Sequence, residues 1–105
     1  TMQRVAFKMK LNKGQKEAYV KRHNEIWPEL KVLLKENGVS EYSIFFDDET
    51  HTLFAFQKVS GDGGSQDLAS NEIVKQWWDF MADVMEVNKD NSPVSIPLEE
   101  VFYMP

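Results

Sequence analysis

Tyr19, His23 and Trp27 stand four residues apart, and together they could hold and move a proton. On a helix that spacing stacks a phenol, an imidazole and an indole on one face, a turn apart. Ile26, Leu30 and Leu34 continue the stripe, so the face points inward and the imidazole falls where an aliphatic side chain is expected. Imidazole is the side chain whose ordinary pKa, about 6.5, suits it to give and take protons near neutrality. Pro28 lies within a turn of it. Its ring lacks an N–H and clashes with the carbonyl of Asn24, which kinks or interrupts the helix there. Two readings follow: a buried structural histidine beside a kink, which the residue types alone favour, or an acid/base facing a cavity.

The elements that must position these residues form one α+β domain over 1–105. Val5, Phe7, Met9 and Leu11 alternate with polar or small residues, the period of a half-buried strand. Asn12 and Gln15 have the spacing of a loose capping box, and the first helix then runs to Leu34 and closes at Glu36-Asn37-Gly38. Tyr42, Ile44 and Phe46 share one face of a second strand, with Ser43 and Phe45 on the other. The acidic turn over 47–50 lacks the ligand spacing of a calcium loop and leads into a third strand over 52–57. Ser60-Gly61-Asp62-Gly63-Gly64-Ser65 lacks the lysine of a phosphate-binding loop and the spacing of a dinucleotide fingerprint, so it reads as a flexible loop.

A second helix starts at Asn71 as N-cap and carries two adjacent stripes, Ile73, Trp77, Met81 and Val84 beside Val74, Trp78, Met81 and Met85. Adjacent tryptophans point about 100° apart, so either the buried arc is broad or one of them lines a cavity. A loop over 86–95 precedes a final strand expected over 97–104. The succession strand, helix, strand, strand, helix, strand predicts a ferredoxin-like split βαβ fold, an antiparallel sheet with two helices on one face. Apolar residues on both faces of the second and third strands call for a second covering layer, which a homodimer would supply.

The composition removes several classes of function. There is no cysteine, which excludes disulfides, thiolate metal sites and cysteine nucleophiles. The two histidines, His23 and His51, sit in different elements without metal-ligand spacing, so no metal or cofactor is expected. A net charge of −5 with scattered basic residues offers no stripe for nucleic acid. No apolar run approaches the roughly 18 residues of a membrane span. With no signal peptide in view the expected location is cytoplasmic, and Thr1 ahead of Met2 reads as a remnant of expression.

Three uncommon segments then occur in order: Arg22-His23-Asn24-Glu25-Ile26-Trp27-Pro28-Glu29-Leu30, Gln76-Trp77-Trp78-Asp79-Phe80-Met81, and Asn88-Lys89-Asp90-Asn91-Ser92-Pro93. With the ending Glu100-Val101-Phe102-Tyr103-Met104-Pro105 they resemble the L-rhamnose mutarotase family over essentially the whole chain. The resemblance implies a cofactor-independent isomerase of L-rhamnose anomers, built as a dimeric α+β barrel. It implies His23 as proton donor and Tyr19, Tyr42, Trp77 and Trp78 as sugar-binding residues. The glycine-rich stretch over 61–64 departs from the family pattern. Two rival readings remain: a dimeric α+β barrel monooxygenase or haem-binding protein with His23 as axial ligand, and a non-catalytic sugar-binding module.

Overall fold

The computed structural model describes residues 2–61 and 63–105; Thr1 and Asp62 lie outside the described residues. In chain order the elements are β1 (Gln3–Lys10), α1 (Lys16–Asn24), α2 (Pro28–Glu36), β2 (Val39–Asp47), β3 (Thr52–Val59), α3 (Glu72–Met81) and β4 (Ile96–Leu98), with a 3-10 turn at Ser65–Asp67. The sheet order is β2-β3-β1-β4 and every pairing is antiparallel. The helices cover one face, so the core lies between them and Phe7, Met9, Leu53 and Ala55 of the central strands.

Pro28 does more than kink the first helix. It divides it, and the proline becomes the first residue of α2, where its missing N–H is not needed. Trp27 before it is extended, at φ −61° and ψ 128°, as the residue ahead of a proline prefers. The Asn12 capping box does not form: Gln15 occupies the N-cap with no side-chain bond, while the Asn12 amide donates to the carbonyl of Asp83. The expected closure at Gly38 is present, with φ +85°. On α3, Asn71 caps as expected, its side chain accepting from the N–H groups of Ile73 and Val74 at 2.9 and 3.3 Å. The helix stops at Met81, short of its apolar stripe, yet Val84 and Met85 stay buried because Met85 bridges to Leu11. The acidic hairpin is a self-bonded turn, in which the Asp47 carboxylate accepts from the Glu49 N–H and the Thr50 hydroxyl.

The final strand is shorter than the alternation suggested. It covers only Ile96–Leu98, in a register that pairs Leu98 with Ala6. Continued, that register sets Glu100 opposite Arg4, and by Phe102 β1 has run out. The expected strand over 97–104 therefore fails for want of a neighbour. Arg4 instead holds the tail by a two-pronged ion pair to Glu100, at 2.8 and 3.0 Å, and by lying 3.2 Å over the ring of Tyr103.

β2 breaks register beside the site. Ser40 pairs with Lys58 and Ser43 with Phe56, so Glu41 and Tyr42 together oppose Gln57. Glu41 absorbs this bulge at φ +46° and turns outward to Lys58, 2.8 Å away, while Tyr42 turns inward. A β-branched side chain tolerates that backbone poorly, whereas glycine adopts it without strain. Glu41→Gly should melt within about 0.5 kcal/mol of the parent, and Glu41→Val should lose about 1–2 kcal/mol. Equal losses in denaturant titrations of both variants would show that the bulge carries no strain.

Candidate active site

A cavity of about 570 Å³ opens between the helices and the inner face of the sheet, within the range of small-molecule sites. The sequence-predicted residues Tyr19, His23, Tyr42, Trp77 and Trp78 all line it. Most of the remaining wall is aliphatic or thioether, including Met9, Leu53, Met81 and Met85.

The last turns of α1 supply the imidazole. The ring of His23 stacks on that of Tyr19, with centroids 4.3 Å apart and planes at 28°, and meets the edge of Trp77 at 5.4 Å. Its Nδ1 lies 3.1 Å from the carbonyl oxygen of Tyr19. A carbonyl only accepts, so Nδ1 carries a hydrogen and the neutral ring is the Nδ1–H tautomer. Nε2 then holds the basic lone pair, and it has no hydrogen-bond partner among the described residues. Burial disfavours the charged ring and lowers the His23 pKa below its ordinary value; the bond to the Tyr19 carbonyl opposes this less strongly. Burial also raises the Tyr19 phenol far above its ordinary value, with Tyr42 adding to the shift, so both nearby phenols stay protonated.

Two supports hold α1 in place. Trp27, released by the helix break, packs edge-on against Trp77 at 5.1 Å and lies 5.8 Å from Phe80. Arg22, next to His23, donates to the carbonyl of Phe80 at 2.8 Å and forks onto the Asp83 carboxylate at 2.7 and 3.2 Å. Its guanidinium also lies over the Phe80 ring. The two alternatives for the tryptophan pair are not exclusive here: both indoles are buried, so the arc is broad, and both also line the cavity. Trp77 faces the aromatic group of His23, Trp27 and Phe80, while Trp78 shares the next arc with Val74 and Met81.

The sheet supplies the opposite wall. Tyr42 enters from the β2 bulge, and Ser65 and Gln66 reach the cavity from the 3-10 turn. The sequence offered no signal for those two; a glycine-rich stretch looked like a flexible loop. Instead its described end is pinned, with Ser65 buried against Gln57 of β3. Among the described residues no group of three His, Cys, Asp or Glu side chains is placed to hold a metal ion.

A family model described as L-rhamnose mutarotase matches residues 4–104. The chain belongs to that family. An L-rhamnose mutarotase from Formosa agariphila is 82% identical over 103 residues, covering 98% of this chain and 99% of that protein. One from Bacteroides thetaiotaomicron is 67% identical with the same coverage. The crystal structure of a Formosa agariphila L-rhamnose mutarotase superposes with a TM-score of 0.91 at 77% identity, over 98% of this chain and 99% of that one.

Because folding lowers the His23 pKa, the unfolded chain takes up this proton first as pH falls. The stability tied to the neutral ring is therefore complete above about pH 6.5 and is lost as pH drops from there through the lowered folded value. Melting curves between pH 8 and 5 should show the parent losing more stability than His23→Asn. Parallel losses would contradict the burial of a neutral imidazole.

Proposed function

We propose that the chain interconverts the α and β anomers of L-rhamnose, with His23 carrying the proton and Tyr19, Tyr42, Trp77 and Trp78 holding the sugar. The observation that carries this reading is the His23 ring, fixed at Nδ1 by a backbone carbonyl and left with a basic Nε2 at the wall of a cavity. Anomerisation needs a proton off the anomeric hydroxyl and a proton onto the ring oxygen. The C–O bond of the ring then breaks to give an aldehyde, and the hydroxyl re-adds to the other face of the carbonyl. Both oxygens sit on one carbon, so one nitrogen can serve both. Nε2 accepts the hydroxyl proton, the imidazolium so formed gives it to the ring oxygen, and the histidine ends as it began. The lowered pKa keeps the ring in its accepting form at neutral pH. Protonated phenols can give and accept hydrogen bonds with sugar hydroxyls, and indole faces present flat apolar surface to sugar C–H groups.

The test is NMR saturation transfer between the two anomers of L-rhamnose with and without the protein. His23→Asn should keep the fold and slow the exchange by about 100-fold or more, the usual size of a lost general acid/base. A folded variant with unchanged exchange would remove His23 from the chemistry.

The reading includes a homodimer arranged as an α+β barrel. Its support is the uncovered sheet face, where Phe45 and Phe56 are 62% and 44% exposed and pack edge-on at 5.8 Å, with Ile96 52% exposed nearby on β4. The tail adds Val101, Phe102 and Met104, all largely exposed. Apolar area left in water costs about 25 cal/mol per Å², which a second copy's matching face would recover. Light scattering at micromolar concentration should give the mass of two chains, and Phe45→Lys should shift it toward one. A parent protein that stays monomeric would contradict the assembly.

A further inference from the structure

Gln57, buried in the middle of β3, is the polar exception on the inner face of the sheet, and its amide is used twice. Oε1 accepts from the backbone N–H of Ser65 at 2.9 Å, and Nε2 donates to the Ser65 hydroxyl at 2.9 Å. A backbone N–H cannot accept, so the first bond fixes which end of the amide is oxygen. The second bond must then end on a lone pair of the Ser65 hydroxyl. Gln66 Nε2 donates to the same oxygen at 3.3 Å. A hydroxyl has two lone pairs and one hydrogen. With both lone pairs engaged, Ser65 has only its hydrogen left to direct.

Tyr42, which the β2–β3 register sets opposite Gln57, lines the cavity together with Ser65, and its phenol is the acceptor within that wall that such a hydrogen would serve. Gly64 makes the approach possible, because a Cβ there would collide with the Gln57 amide oxygen. Asp67 braces the turn by accepting from the Gly64 N–H at 2.8 Å. The geometry points to a positioning relay in which Gln57 fixes Ser65, Ser65 donates to the phenol oxygen of Tyr42, and Tyr42 presents its own proton to a sugar hydroxyl. The relay rests on the reading of Tyr42 as a sugar ligand and adds Ser65 and Gln57 as residues that act through it. Burial raises the Tyr42 phenol, and its nearness to Ser65 opposes that rise less strongly. With one lone pair engaged and its orientation set, the phenol enters the cavity as a donor whose direction is fixed before the sugar arrives, which favours binding.

A double-mutant cycle tests the relay, with KM and kcat for L-rhamnose anomer exchange and melting temperature read for each protein. Ser65→Ala should raise KM by about 3- to 10-fold, the size of one net hydrogen bond, with kcat within about two-fold. Ser65→Thr, which keeps the hydroxyl, should restore KM to within about two-fold of the parent. In a Tyr42→Phe background Ser65→Ala should have no further effect on KM. If Ser65→Ala raises KM equally in both backgrounds, Ser65 only shapes the turn and the relay is wrong although Tyr42 still binds sugar. If Tyr42→Phe leaves KM unchanged, both the relay and the role of Tyr42 fall together. Should Ser65→Ala fail to fold, Ser65→Cys, close in volume and weak as a donor, takes its place in the cycle with the same expectations.

Discussion

Nδ1 of His23 donates to the carbonyl of Tyr19, 3.1 Å away and one turn earlier on the same helix. The bond costs little to organise because both partners are already held by α1, and it settles the tautomer without help from a carboxylate. A carboxylate in that position would have raised the imidazole pKa and favoured the charged ring. The neutral carbonyl orients the ring with a smaller upward pull, and burial prevails. The result is a ring kept in its accepting form, with the basic lone pair on Nε2.

Much of the surrounding structure holds that ring in place. The division of the helix at Pro28 turns Trp27 into the gap, where it braces Trp77 and Phe80. Arg22 then ties α1 to the end of α3 through Phe80 and Asp83. Across the cavity the register of Ser43 to Asp47, continued by one residue, sets Tyr42 opposite Gln57, and the bulge at Glu41 ends that register just beyond it. The imidazole and the facing phenol thus come from opposite layers of the fold, each beside a local departure from regular geometry.

Those departures mark where the sequence could be read and where it could not. The four-residue spacing of Tyr19 and His23, and the alternation of Tyr42, Ile44 and Phe46, put the site residues on inward faces because side-chain period follows secondary structure. Pro28 announced a break, though its completeness depended on Trp27 having aromatic partners to pack against. The bulge left no sign, since a glutamate at positive φ looks like any strand residue. Ser65 was hidden because its burial depends on Gln57, eight residues away, accepting its N–H. The tail misled by its alternation: Val101 to Met104 read as a strand, but a strand needs a neighbour and β1 ends first.

The central claim is that His23 rests as a neutral Nδ1–H imidazole with its Nε2 lone pair available to substrate. Nitrogen-15 NMR of the histidine rings in the unliganded protein at neutral pH reads this directly, because protonated and unprotonated ring nitrogens resonate far apart. His23 should show a protonated Nδ1 and an unprotonated Nε2, with a titration midpoint below the ordinary value of about 6.5. A ring protonated at Nε2 alone, or one doubly protonated at neutral pH, would contradict the account.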